Sequence, residues 1–264
     1  MNAPQPATQL EPYVLRSLDG GVLRLTLNRP AQFNALSLEM LAALQAELEA
    51  AAQDAAVRVV VIAAAGKAFC AGHDLKQMRA HPDIDWYRRL FDDCSKLMLT
   101  VQKLPQPVIA RVQGIATAAG CQLVSMCDLA VAAQEARFGV NGIDVGLFCS
   151  TPSVGLARNV GRKEAFEMLV TGEFIDAATA QARGLVNRVV AAAALDAEID
   201  RLVQPILAKP AAVLALGKQL FYRQLEMGIA AAYQLAGQTM ACNMIDPVAQ
   251  EGVDAFVGKR KPRW

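Results

Sequence analysis

Apolar and polar residues alternate along Val22-Leu23-Arg24-Leu25-Thr26-Leu27, the two-residue period of a half-buried strand. Asn28-Arg29-Pro30 breaks that run. Ser37 then stands where a helix cap is expected, ahead of an apolar face formed by Leu41, Leu44 and Leu48. Val57 to Ala65 predicts a second strand, and its continuous run Val59-Val60-Val61-Ile62 suits burial on both faces. Ala68 to Leu75 reads as a loop opening a short helix, followed by a mixed polar segment to about Met98. Pro107 to Val112 predicts a third strand, Gly114 to Gly120 a loop of small residues, Cys121 to Met126 a helix and Leu129 to Ala133 another short strand. Strand, loop, helix and strand recur, which predicts an α/β fold. No period is plain enough to assign a solenoid from self-similarity alone.

The second half is more helical. A helix is expected from Arg162 to Val170 with Gly172 just past its end, and Asp176 caps a short helix closed by Gly184. Leu195 to Lys209 carries Ile199, Leu202, Val203, Ile206 and Leu207 on one face, with a kink expected at Pro205. Ala211 to Leu225 and Ile229 to Ile245 are further helices, and Asp246-Pro247 places a cap before a proline at the first helical position. A helical tail this rich in apolar stripes needs a surface to pack on, either the main domain or another subunit. The expected division is residues 1–204 as the core and residues 205–264 as a helical oligomerisation region.

Composition narrows the choice. The chain has 264 residues, 54% of them apolar, and a formal net charge of +1. It is long enough for one large core, is not disordered in composition, and has no global field favouring nucleic acid. Six cysteines show no C-x-x-C pair and there are two histidines, so no metal site is expected and the thiols read as small buried hydrophobes. The polar lead Met1 to Glu11 has no signal-like core, and no uncharged apolar run reaches membrane-spanning length. The default expectation is a cytoplasmic protein with no membrane partner. The basic end Lys259-Arg260-Lys261-Pro262-Arg263 reads either as a solvated terminus or as an anion contact.

Two loops carry candidate chemistry. Gly72-His73-Asp74 and Ala118-Ala119-Gly120 each follow a strand and open a helix. A helix N-terminus leaves backbone N–H groups unpaired and partly positive, and small residues let a ligand approach them. Two such ends facing one another would form an oxyanion hole. Ordinary turns that need small residues for packing would look the same, and the residues alone leave both readings open.

Ala68-Phe69-Cys70-Ala71-Gly72-His73-Asp74-Leu75-Lys76 resembles the first signature of the crotonase (enoyl-CoA hydratase/isomerase) superfamily. Pro107 to Gly114, continuing through Ala118-Ala119-Gly120-Cys121-Gln122-Leu123 to Cys127-Asp128, resembles the second. Leu27-Asn28-Arg29-Pro30 with Asn34-Ala35-Leu36 resembles the opening motif, and Thr171-Gly172-Glu173 with Gly184-Leu185-Val186 a later one. The resemblance spans nearly the whole chain in order. It implies a spiral of repeated β-β-α units, a helical C-terminal region that drives homotrimers or hexamers, and an acyl-CoA thioester substrate in fatty acid or related metabolism. It further implies that the thioester oxygen is held by the backbone N–H groups of His73 and Ala119. No cofactor is implied beyond the CoA moiety of the substrate. By the same resemblance Lys67, Lys76 and Arg29 lie near the CoA phosphates, while Phe256 and Lys259 reach the adenosine end of a neighbour's ligand. A solvated role for the lysines and a packing role for Phe256 remain open.

The family's hydratases use two glutamates, one as base on water and the other as proton donor. The matching positions here are Gln122 and Gly142, and an amide has the wrong proton affinity for a base. Hydration by that route is therefore doubtful. Asp144, Ser150 and Gln122 are the candidate replacements, and Cys149 reads as a buried thiol unless a partner base stands beside it. The stretch Gly142 to Pro152, with Lys259-Arg260-Lys261-Pro262, resembles a mammalian branch of hydratase-domain-containing proteins that also lacks the pair. Restoring both acids (Gln122→Glu with Gly142→Glu) is expected to raise hydration of a short 2-enoyl-CoA. The leading reading is an enoyl-CoA hydratase/isomerase-family enzyme that stabilises a thioester enolate and catalyses isomerisation, thioester hydrolysis or decarboxylation. A non-catalytic acyl-CoA-binding protein is the alternative. A dinucleotide-dependent dehydrogenase ranks last, since G-x-G-x-x-G is missing after the first strand.

Overall fold

The computed structural model describes residues 11–264, so the polar lead before Glu11 lies outside the described residues. The large sheet runs in the order β1 (Val14–Asp19), β2 (Val22–Leu27), β3 (Val59–Ala64), β5 (Val108–Val112), β7 (Leu129–Ala133) and β10 (Arg188–Val190). A smaller sheet runs β4 (Ala68–Cys70), β6 (Ile115–Thr117), β8 (Arg137–Gly139) and β9 (Ile175–Asp176). Within β3 to β8 each successive pair puts its first strand in the large sheet and its second in the small one. Helices then return the chain: α2 (Leu75–Ala80) and α3 (Ile84–Lys103) after β4, and α4 (Ala119–Met126) after β6. This is the expected β-β-α unit repeated around a spiral.

The continuous apolar run in β3 is explained by two cores. Val60 and Ile62 face one core, shared with Leu41, Leu44 and Leu48 of α1 (Leu38–Gln53) and Leu97 and Val101 of α3. Val59 and Val61 face the other, covered by Leu195, Ile199 and Val203 of α8 (Leu195–Leu207). Alternate side chains of a strand leave on opposite faces, so a strand covered on both sides has no polar position to spare. The Ser37 hydroxyl caps α1 by accepting from the Met40 amide at 3.3 Å, as expected. The expected division after residue 204 falls inside α8, and α8 packs on the large sheet.

Three expectations need correction. The polar segment before Met98 is the twenty-residue helix α3, capped by Asp83, with Leu90, Cys94, Leu97, Met98 and Val101 buried at helical spacing. Residues 14–19, for which the pattern predicts no element, form β1 in an antiparallel pair with β2. The small-residue loop 114–120 contains strand β6 and the start of α4, so Ala119 is a helical residue.

After β8 the chain passes through a 3-10 turn (Asn141–Val145), α5 (Ser150–Asn159), α6 (Arg162–Thr171) and α7 (Ala177–Ala182). The tail consists of α9 (Ala211–Leu225), α10 (Ile229–Ile245) and α11 (Pro247–Val257). Asp128, at the start of β7, anchors α9. Its carboxylate accepts from the Val108 amide (2.6 Å), the Lys218 ammonium (2.6 Å) and the Tyr222 hydroxyl (2.7 Å). Neither α9 nor α10 has a fully buried residue, and on α10 Ile229, Tyr233 and Ile245 are each about three-quarters exposed. The basic end is tied down in part: Arg260 pairs with Glu251 at 2.6 Å, and the Trp264 indole donates to the Ala208 carbonyl.

Candidate active site

The two loops singled out in the sequence meet. Gly72 has φ +87°, and a Cβ placed on it would lie 2.8 Å from the Ala118 Cβ and 3.2 Å from the Ala119 nitrogen. A Cβ on Gly120 would fall on the Cys70 carbonyl oxygen. These glycines are therefore required by close approach of β4 to the start of α4. The Leu36 amide donates to the Gly72 carbonyl at 2.8 Å, and Leu36 bridges His73 in parallel register. The Gly72 carbonyl and the His73 N–H belong to one trans peptide and point in opposite directions, so the His73 N–H turns away from Leu36.

Ala119 opens α4, where no carbonyl four residues back can receive its N–H. Ala118 before it has φ 49° and ψ −121°, a conformation that L-residues rarely adopt and that costs about 1–3 kcal/mol. Among the described residues, neither the His73 nor the Ala119 amide donates to a protein acceptor. Both residues line one cavity of about 280 Å³, bounded further by Met78, Phe91, Leu147 and Phe148.

The His73 imidazole sets an edge against Phe91, with Nδ1 3.4 Å from the Leu36 carbonyl oxygen. Burial pushes its pKa down, which favours the neutral ring. Its Nε2 is sealed off with no partner among the described groups.

At the two positions where glutamates would stand, the surroundings differ. Gln122 is buried on α4 and does not line the cavity, and its side-chain oxygen has no hydrogen-bond partner among the described groups. It shares a helix face with Ser125, which meets α5 at Gly155. Gly142 lines the cavity but has no space for a side chain. A Cβ there would fall on the Leu147 carbonyl oxygen and come within 2.8 Å of the Cys149 sulfur. The Gly142 amide donates to that sulfur at 3.3 Å, and its carbonyl accepts from the Leu147 amide at 2.9 Å. The expectation that a glutamate could simply be restored at 142 is therefore corrected: the turn is closed over that position.

The other candidates separate. Asp144 does not line the cavity. Its carboxylate lies against Gly172 at the end of α6, 2.7 Å from where a Cβ of Gly172 would be. Ser150 does line it, with its hydroxyl donating to the Phe148 carbonyl at 3.3 Å. Cys149 lines it too, and burial raises its thiol pKa, which favours the protonated, unreactive form.

Arg29 is held elsewhere. Its guanidinium sits 3.7 Å over the Tyr13 ring and donates to the carbonyls of Glu11, Pro12 and Asn28. Lys67 lies over Phe33 at 5.3 Å, and Lys76 is exposed on α2. Phe256 is 86% exposed, and neither it nor Lys259 lines the cavity of its own chain.

Sequence reasoning missed Met78, Phe91, Leu147, Phe148 and the pair Thr117–Asn141, whose side chains bond at 2.6 Å beside the amides. The cluster Val145, Leu147 and Phe148, apolar yet exposed in a loop, was the signal available.

A family model described as enoyl-CoA hydratase/isomerase matches residues 17–264. The chain is 46% identical to the Xenopus laevis enoyl-CoA hydratase domain-containing protein 3, mitochondrial, over 97% of this chain and 87% of that protein. It superposes on a crystal structure of enoyl-CoA hydratase from Mycobacterium smegmatis with a TM-score of 0.95 and 64% identity, covering 96% of this chain and 99% of that one. The crystal structure of the human enoyl-CoA hydratase domain-containing protein 3 gives a TM-score of 0.93 at 43% identity, over 96% and 100% of the two chains. The Xenopus protein is named as mitochondrial, whereas the expectation from this sequence is cytoplasmic. No helix among the described residues is long and apolar enough to cross a membrane.

Proposed function

The chain belongs to the enoyl-CoA hydratase/isomerase family, the crotonases, and from that premise we propose that it is an enzyme holding an acyl-CoA thioester oxygen between the His73 and Ala119 amides. The observation that carries the reading is that these two N–H groups, free of protein acceptors among the described residues, border one cavity. A thioester enolate places negative charge on that oxygen, and fixed donors in a water-poor site stabilise it far more than bulk water would. The strained Ala118 backbone supports the same reading, because strain of this kind persists where geometry serves a site.

The reaction draws on stabilising negative charge on the thioester oxygen rather than on a glutamate pair that adds water across a double bond. Gly142 has no room for an acid, and Asp144 lies against Gly172. Losing a positioned acid or base lowers a rate by roughly 10²–10⁴ each. The candidate reactions are isomerisation, thioester hydrolysis and decarboxylation, with Ser150 as a polar contact on the cavity wall and Gln122 as a further candidate that does not line it. Lys67 and Lys76 are exposed where the CoA phosphates could approach them. The apolar face of α9–α11 supports a homotrimer or hexamer in which Phe256 and Lys259 serve a neighbour's ligand.

A second reading is favoured by the closed turn at Gly142: an acyl-CoA-binding protein without turnover. A panel of 2-enoyl-, 3-enoyl-, saturated and 2-carboxyacyl-CoA esters, with affinity and turnover measured together, decides between them. The enzymatic reading expects turnover of at least one of the last three and slow hydration of the first. Binding with no turnover at all leaves the binding protein, and no binding of any ester rejects both.

A further inference from the structure

Resting on the acyl-thioester reading above, we infer that the cavity beyond the amide pair takes an uncharged, apolar acyl chain and rejects one whose far end carries a carboxylate. Besides His73 and Ala119, the cavity is walled by Met78, Phe91, Val145, Leu147, Phe148 and Pro152. No Lys, Arg, Asp or Glu lines the cavity among the described residues. Three of the polar groups that line it are already engaged, and the Asn141 amide and the Thr151 hydroxyl remain as neutral donors. The Thr117 hydroxyl donates to Asn141, the Ser150 hydroxyl to the Phe148 carbonyl, and the Cys149 sulfur accepts the Gly142 N–H. A terminal carboxylate would enter without a cation to pair with, and burying an unpaired charge is strongly unfavourable.

The mouth supports the same chemistry. Val145, Leu147 and Phe148 stand 66%, 45% and 42% exposed around it. Apolar side chains at the rim of a pocket gain when an apolar chain covers them. A cavity of about 280 Å³ holds on the order of nine methylene-sized groups, at ~30 Å³ for a water-sized one.

The test uses the full chain and unreactive CoA thioethers, so that turnover does not intrude. Calorimetry compares S-propyl-, S-hexyl- and S-nonyl-CoA with a length-matched S-(ω-carboxyalkyl)-CoA. The expected result is a gain of roughly fourfold in affinity per added methylene until the cavity fills. The carboxylate is expected to bind at least about 100-fold more weakly than its apolar match. Val145→Arg, at the exposed mouth, is expected to narrow that gap by tenfold or more. Comparable affinity for the carboxylate and its match, a flat chain-length series beside sound CoA binding, or an unchanged gap in Val145→Arg each overturns the inference while leaving the acyl-CoA reading in place. No binding of any thioether rejects the acyl-CoA reading itself, and the inference falls with it.

Discussion

The Gly142 α-carbon and the Leu147 carbonyl oxygen are packed so closely that a methyl group cannot be placed between them. The turn is clasped from both ends, by the Leu147 amide on the Gly142 carbonyl and by the Gly142 amide on the Cys149 sulfur. An absent acid at this position is therefore a built feature of the loop and not a vacancy into which a side chain could be inserted. Gly142→Ala should destabilise the protein by about 1–3 kcal/mol, the usual range for overpacking. Gly142→Glu should do the same and, combined with Gln122→Glu, give no gain in hydration of a short 2-enoyl-CoA. Urea unfolding beside a hydration assay checks this; a stable double variant that hydrates faster would show that the turn opens freely.

Gln122 keeps a buried oxygen without a partner. Such a group destabilises by roughly 1–3 kcal/mol when nothing bonds it. Methionine has nearly the same shape and no amide, so Gln122→Met should raise stability by about 1 kcal/mol or more. If the amide touches substrate, the same change lowers turnover or affinity by tenfold or more. Stability gained with activity unaltered would assign Gln122 to packing alone.

Lys218 and Asp128 hold the helical tail to the core. Burial lowers the Lys218 pKa and raises that of Asp128, and each charge opposes the effect on the other. Lys218 also donates to the Val101 and Gln106 carbonyls. Lys218→Met leaves a buried carboxylate with one fewer donor and should cost about 3–5 kcal/mol. Asp128→Leu with Lys218→Met should recover only part of that loss, since no charge is left unmet but the Val108 amide and the Tyr222 hydroxyl lose their acceptor. Chemical denaturation of the single and double variants measures both; a single variant within ~0.5 kcal/mol of wild type would contradict the anchoring role.

Asp196 on α8 accepts from Arg111 at 2.6 and 2.8 Å and from Arg24 at 2.9 Å, which ties α8 to β5 and β2. The Arg111 hydrogen bonds, with Arg24 adding to them, hold its pKa down to about 2 against an ordinary 3.8. A depressed carboxylate contributes stability above its unfolded pKa and loses it as pH falls toward the folded value. The side chain is half exposed, so solvent screening makes the effect modest. The stability gap between wild type and Asp196→Asn should be open at pH 5 and close as pH falls from about 4 to 2. A gap that is constant over this range in urea titrations would contradict the assignment.

Much of the framework was legible from pattern. Ala211–Leu225 and Ile229–Ile245 are helices with the predicted ends, and Ser37, Asp176 and Asp246 cap as expected. The run Val59 to Ile62 announced a strand covered on two faces, and it is. Helix α3 was hidden because Asp85, Arg88, Arg89, Asp92 and Asp93 crowd its outer face and mask the apolar spacing beneath. Strands β4, β6, β8 and β9 are two or three residues long, too short for alternation to register.

At the site, small residues marked both loops, but orientation was not readable. The His73 amide is turned by pairing with Leu36, which lies far back along the chain. The withdrawal of Asp144 follows from a 3-10 turn packed on the end of α6, and the crowding at Gly142 comes from a backbone oxygen that no side-chain pattern encodes.

The central claim is most directly met by a crystal structure with a bound, unreactive acyl-CoA analogue that retains the carbonyl. The account expects that oxygen to lie about 2.7–3.1 Å from both the His73 and the Ala119 nitrogens. A carbonyl bonded to neither amide, with the ligand seated elsewhere on the chain, would contradict it.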